Sequence, residues 1–304
     1  MIRWDLDGNG HPVVKQEFKQ PVCYLDHWAI RLFAADDNLA RRLISALKAR
    51  QGTWAVSLLN LMEFISITDE VQAAQFENLL DQALPNLFFI DFQAFDVIDR
   101  ERVMLQGGSR NAPYGDVSLL SVFAHNRPDT PRPFTAKSLV TSIVNNRDRL
   151  APGLDQFKDT VVTRIQLMRD QMYADKSLAK RIKGSQKSAQ AQRTWLFMRE
   201  LIGTVLSDRS KILTPQDAMD LFHSVVPIAY CDFVLLDSQW THRVEVIRKR
   251  LVEHNIAMQP AVVFSKKRNG IEFASGKNAD FGYPLRLPRD YRLQSIVEIL
   301  QDSN

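Results

Sequence analysis

Short apolar runs alternate with amphipathic stretches through the first third of the chain. Pro21-Val22-Cys23-Tyr24-Leu25 is apolar throughout and ends on Asp26. A run with no polar face suits a strand buried on both sides. Helical spacing follows to about Arg50, and Gly52 marks its end. Trp54-Ala55-Val56 predicts a second strand, after which Ser57 caps a helix carrying Glu63 and Phe64. Leu87-Phe88-Phe89-Ile90 predicts a third strand, and Ala94 to about Leu105 a further helix. Strands and helices alternating in this way predict a parallel sheet joined by helical crossovers. Ahead of it, residues 1–19 predict a hairpin turning at Asp7-Gly8-Asn9-Gly10.

The alternation lapses after Leu105. Gly107-Gly108 and the prolines at 113, 128, 131 and 133 punctuate a region without a convincing strand. From about Gln156 to Ile182, and from Ser188 to Leu206, the apolar spacing is helical. The expectation is an all-helical insertion over 106–210. Beyond it the alternation resumes, with a helix over 215–229, a strand over 233–236, a helix over 241–254 and the strand Ala261-Val262-Val263-Phe264. A loop rich in Gly and Asn and a helix near 290–301 close the chain. The organisation is thus a hairpin (1–19), a core in two parts (20–105 and 211–270) flanking the insertion, and a C-terminal loop and helix (271–304).

Composition narrows the class. An apolar content of 45% over 304 residues supplies a substantial core, and 24% charged residues is ordinary for a soluble protein. The net charge of +4 and pI of about 9.0 permit a polyanionic partner without demanding one. Cys23 and Cys231 lie in apolar runs and read as reduced core residues, with no zinc-type spacing. No run approaches the roughly 18 apolar residues of a membrane span, and the N-terminus lacks an apolar signal core. The expected protein is soluble and cytoplasmic, with no membrane partner.

The acids carry the candidate chemistry. Asp26 ends the first strand, where a carboxylate commonly caps the next helix. Glu63 sits early in the helix after the second strand, embedded in Leu58-Leu59-Asn60-Leu61-Met62-Glu63-Phe64-Ile65, where an unpaired charge is costly. Thr214-Pro215-Gln216-Asp217 matches a capping box with Pro at the first helical position, which gives Asp217 a structural role and leaves Asp220 unexplained. Asp220 and His223 share a helix face, and Asp237 follows Phe233-Val234-Leu235-Leu236. Asp232 reads as a turn acid. Taken singly, each acid is more often structural than catalytic. Taken together, they occupy strand ends and early helix turns that a parallel sheet gathers on one edge. Carboxylates gathered there repel one another and take up protons unless a cation joins them, and Mg²⁺ or Mn²⁺ suits an oxygen site.

Cys23-Tyr24-Leu25-Asp26, Ser57 with Glu63, Asp220-Leu221-Phe222-His223 and Asp232-Phe233-Val234-Leu235-Leu236-Asp237 together resemble a PIN-like domain, the metal-dependent nuclease fold of many toxin and RNA-processing ribonucleases. The likeness covers about 20–105 and 210–265 and rests on order and spacing. It implies a three-layer α/β/α sandwich with a mostly parallel central sheet, the 106–210 helices being an insertion. It also implies that Asp26, Glu63, Asp220 and Asp237 are the catalytic metal ligands, holding Mg²⁺ or Mn²⁺ that activates water against a phosphodiester bond. Ser57 would then hydrogen-bond a ligand carboxylate or the scissile phosphate. His223 could do likewise, although a His beside an apolar run is more often a satisfied core residue, and Asn60 would stand behind the ligands. RNA is the expected substrate in preference to DNA, and a toxin-like role, a protein inhibitor or antitoxin, and a homodimer are all compatible with the resemblance. Two departures stand out: Leu236 occupies a position where the family commonly has Thr or Ser, and the insertion is larger than in minimal toxin domains.

Between Lys176 and Arg199 the chain carries Lys176, Lys180, Arg181, Lys183, Lys187, Arg193 and Arg199 and no acid, with Gly184-Ser185-Gln186 as a break. Most charge runs are solvated faces; this one suits a basic arm contacting phosphates, with Trp195 stacking on a base or packing in the core. Lys266-Lys267-Arg268 is a lesser basic cluster. Asp5-Leu6-Asp7-Gly8-Asn9-Gly10 begins like an EF-hand loop but reaches Gln16 where Glu is required. It also resembles the Asp-x-Asp motif of haloacid dehalogenase-like phosphatases, but the apolar strand that motif needs is missing. No Gly-rich phosphate loop is present. The remaining alternatives are a structure-selective DNA nuclease using the same acids and a catalytically weak module binding RNA or protein.

Overall fold

The computed structural model describes residues 1–66, 70–108, 112–177, 180, 192–208 and 210–265. The N-terminal hairpin forms as expected, from β1 (Ile2–Leu6) and β2 (Pro12–Gln16) paired antiparallel. Asp7 makes the turn by accepting from the backbone amides of Asn9 and His11, each at 2.8 Å.

A second sheet is built from β3 (Val22–Leu25), β4 (Thr53–Val56), β5 (Leu87–Phe89), β6 (Phe233–Leu235) and β7 (Val262–Phe264), in the order β5-β4-β3-β6-β7. Every pairing in it is parallel. The free edge of β5 is closed by a side chain: Gln16 accepts from Phe89 N at 2.9 Å and donates to Phe89 O at 3.2 Å. That satisfies backbone groups that would otherwise invite another strand.

Alternate residues of each strand feed two separate cores. Cys23, Leu25, Trp54, Val56, Leu87, Phe89, Phe233 and Leu235 face one side, and Val22, Tyr24, Ala55, Phe88, Val234 and Leu236 the other. This period of two is the geometry of a pleated strand buried on both faces. The first core is covered by α1 (His27–Ala35), α2 (Asp37–Ala49), α4 (Glu70–Ala83), α6 (Val117–His125) and α7 (Leu139–Asn145). The second is covered by α5 (Ala94–Leu105), α8 (Arg147–Ala174), α9 (Arg193–Ser207), α10 (Pro215–Tyr230) and α11 (Ser238–Glu253). Helices therefore layer both faces of the sheet, in an α/β/α arrangement. The helices between 106 and 210 divide between the faces: α7 packs on α4, and α8 and α9 pack on α10.

Several boundaries differ from the sequence pattern. The helix expected from about Gln156 starts at Arg147 with Pro152 inside it, and it ends at Ala174 because Asp175 turns extended (φ −114, ψ 106). The helix after Ser57 is short: α3 (Leu58–Met62) tightens into a 3-10 turn at Glu63–Ser66. The helix expected from 241 starts at Ser238, capped by Asp237. Asp232 does more than sit in a turn. Its carboxylate accepts from Val22 N at 2.8 Å and ties the entrance of β6 to the start of β3. Among the described residues no helix is long and apolar enough to cross a membrane. The expected helix near 290–301, the Lys266–Arg268 cluster and Arg181, Lys183 and Lys187 lie outside the described residues; Lys180 is exposed.

Candidate metal centre

Strand order reverses at β3, whose neighbours are β4 on one side and β6 on the other. The crevice beyond the carboxyl ends of strands at such a reversal is the usual ligand site of an open α/β sheet. Leu25 stands in register with Leu235. The residues that follow, Asp26 directly and Asp237 after Leu236, are thus delivered to one edge. Asp26 N donates to Leu235 O at 3.0 Å, which fixes the turn out of β3.

Each acid is held locally. Asp26 is the N-cap of α1 and accepts from His27 N at 2.8 Å. Asp237 caps α11 and accepts from Trp240 N at 2.8 Å. The indole nitrogen of the same Trp240 donates to Asp220 at 3.0 Å, and Gln216 donates to its other oxygen at 2.7 Å. Asp217 is confirmed as a cap: it forms a capping box with Thr214 and an ion pair with Lys211.

Ligand-capable atoms of Asp26, Glu63 and His223 all lie within 4.8 Å of one another. His223, on the buried side of α10 and 1% exposed, joins this closest group. Its Nε2 lies 3.2 Å from Glu63 Oε2. His27 Nδ1 lies 3.9 Å from the same oxygen. Asp220 and Asp237 are outside the closest group but within electrostatic range of it.

The charges act on one another strongly. Burial, with the charges of Glu63 and Asp237 adding to it, pushes Asp26 up to about 6 despite the opposing pull of His223. Asp220 is pushed up to about 7, first by burial and then by the Asp26 and Asp237 carboxylates. Burial also works to raise Glu63, but His223 and His27 outweigh it and hold it below its ordinary value. His223 shows the converse: burial lowers it, but Glu63, Asp26 and Asp220 leave it raised. Burial keeps His27 below the ordinary value, with Glu63 opposing and Arg31 assisting.

Beneath the acids lies a buried hydrogen-bond chain. Tyr24 OH meets His223 Nδ1 at 2.5 Å and Ser57 Oγ at 3.1 Å. Ser57 and Asn60 form a capping box at the start of α3, and Asn60 reaches Leu25 O at 3.2 Å. Ser57 and Asn60, expected beside the ligands or substrate, are thus placed below the site with their polar atoms engaged. Tyr24 was not singled out by the sequence, where it reads as one more apolar strand residue. Its parity with Asp26, two positions on and on the same side of the strand, was the available signal.

The donor set fits a divalent cation. Two carboxylates and one imidazole converge, two further acids stand nearby, and burial together with the neighbouring carboxylates leaves Asp26 and Asp220 raised, a cost that a bound cation would relieve. Comparisons with protein-family profiles, curated proteins and solved structures found no match.

Proposed function

We propose that the protein is a Mg²⁺- or Mn²⁺-dependent nuclease of the PIN-like type, hydrolysing phosphodiester bonds with RNA as its substrate. The observation carrying this reading is the convergence of Asp26, Glu63 and His223 at the reversal point of a parallel sheet. A divalent cation held there would supply a water acidic enough to attack phosphorus near neutral pH, and would offset charge on the phosphate. Asp26 and Glu63 provide the negative charge that holds it. Asp220, oriented by donors on both oxygens and raised towards neutrality, is suited to hold or accept a proton. Arg31 is exposed and close enough for its charge to act on His27, and it suits a phosphate contact.

Labelled RNA and DNA incubated with purified protein and either cation test the reading. Cleavage of RNA is expected, falling by about two orders of magnitude in Asp26→Asn and Asp220→Asn, the scale of losing one group that stabilises transition-state charge. Cleavage that is absent, or that survives both substitutions, sinks the proposal. A second reading has one observation in its favour. The ion pair of His223 with Glu63 supplies a positive charge of the chain's own, as a binding module without a metal would need. Failure to bind either cation, with RNA still bound, favours that reading.

A further inference from the structure

Donor and acceptor counts assign the protons along the buried chain Asn60, Ser57, Tyr24, His223. The main chain fixes one end. Asn60 Nδ2 donates to Leu25 O at 3.2 Å and Asn60 Oδ1 accepts from Ser57 N at 2.9 Å, so the amide has a single orientation. The Ser57 hydroxyl, 3.2 Å from that Oδ1, has one proton to give. Given to Asn60, it leaves Ser57 Oγ to accept from the Tyr24 hydroxyl at 3.1 Å. Tyr24 is then committed as a donor, and its oxygen accepts from His223 Nδ1–H at 2.5 Å.

This direction turns all three side-chain contacts into hydrogen bonds. The reverse, from Ser57 to Tyr24 to Nδ1, makes two and leaves the Ser57–Asn60 contact without a proton. All four side chains are at most 1% exposed, where a polar contact left without its hydrogen bond is costly. Nδ1 therefore carries a proton in the imidazolium that pairs with Glu63, and it keeps that proton when a cation replaces the one on Nε2, which faces the acids. Nε2 lies 3.2 Å from Glu63 Oε2 but makes no aligned hydrogen bond with any of the described residues.

Resting on the metal-centre reading above, we infer that His223 Nε2 is a metal ligand and that Tyr24, Ser57 and Asn60 are positioning residues that fix its tautomer and ring plane. The centre is then mixed, one imidazole among carboxylates. Mg²⁺ keeps to oxygen ligands, whereas Mn²⁺ lies on the first-row series and accepts imidazole nitrogen, so the centre selects Mn²⁺.

Mn²⁺ bound to the whole protein without substrate provides the test, read by pulsed electron paramagnetic resonance and by calorimetric titration against Mg²⁺. The wild type is expected to show nitrogen hyperfine coupling and to bind Mn²⁺ more tightly than Mg²⁺. His223→Asn should lose both the coupling and the preference. Tyr24→Phe keeps the ring but removes the acceptor of Nδ1–H, and Mn²⁺ affinity should fall roughly 10–100-fold, the usual cost of removing such a partner, with a smaller change for Mg²⁺. If Tyr24→Phe does not fold, Ser57→Ala, which removes the next acceptor, should show the same fall. Bound Mn²⁺ without nitrogen coupling, coupling that persists in His223→Asn, or an unchanged preference in the folded relay variant overturns the inference and leaves the proposed function standing. No binding of either cation overturns both.

Discussion

The imidazole of His223 lies 3.2 Å from the carboxylate of Glu63, although one comes from the helix before β6 and the other from the turn after β4. Those elements flank β3 on opposite sides, so the contact exists only when both halves of the sheet are assembled. The pair closes the site from the two ends of the chain.

The crowding of carboxylates makes stability fall as pH rises when no cation is present. Asp26 and Asp220 have an ordinary value of 3.8 and stand at about 6 and about 7 in the fold. Between these limits the folded chain holds more protons than the unfolded one, and stability declines wherever that is so. The raised His223 works in the same direction, its contribution being lost as pH passes its folded value. The lowered Glu63, the buried His27 and the Met1 amino group, lowered by burial to about 5, oppose it, so the difference between the wild type and Asp220→Asn isolates the site. Thermal unfolding in chelator should therefore show a melting temperature that declines from about pH 4 to about pH 7. Saturating Mn²⁺ should flatten or reverse that decline. A melting temperature rising across the window in chelator would contradict the charge assignment.

Asp220→Asn should separate stability from activity. Removing a carboxylate raised by burial and by Asp26 relieves the metal-free fold, by at most about 4 kcal/mol near pH 8 at roughly 1.4 kcal/mol for each of about three pKa units. Cleavage should fall at the same time. Denaturant unfolding in chelator checks the first half, and a loss of stability there would count against Asp220 being strained by its neighbours.

Asp217 provides the contrast on the same helix. It closes a capping box with Thr214 and pairs with Lys211. Asp217→Ala should cost about 1 kcal/mol of stability and leave cleavage per folded molecule unchanged. A large loss of activity in a folded variant would mean that the cap and the site had been assigned to the wrong acids.

Leu235 aligns the two strand ends that carry Asp26 and Asp237, and it is fully buried. Leu235→Ala should lower stability by about 2–5 kcal/mol through transfer and cavity terms. It should also weaken cation binding, because the edge that presents the acids shifts with the strand. Unchanged affinity in calorimetry would show that the site does not depend on this register.

The sheet and its acids were legible because they follow periodic rules. Apolar runs marked β3 to β7, and the acids at their ends or on the next helix turns mark one edge of a parallel sheet. The role of Tyr24 was not legible, and His223, expected at the site, was not placed in the closest donor group. Both lie among apolar residues, and periodicity shows that a side chain is buried without showing whether a polar partner waits there. The helices between 106 and 210 had the same difficulty: their amphipathic faces predict burial, but not that α7 goes to one face of the sheet and α8 to the other. Glu63 was placed on a regular helix, whereas the tightening after Met62 puts it on a 3-10 turn.

The most direct test is anomalous diffraction from crystals of the protein soaked in Mn²⁺. One strong peak is expected, bonded to Asp26, Glu63 and His223 Nε2, with Asp220 and Asp237 beside it. No peak at that edge of the sheet, with the His223–Glu63 contact unchanged, would contradict it.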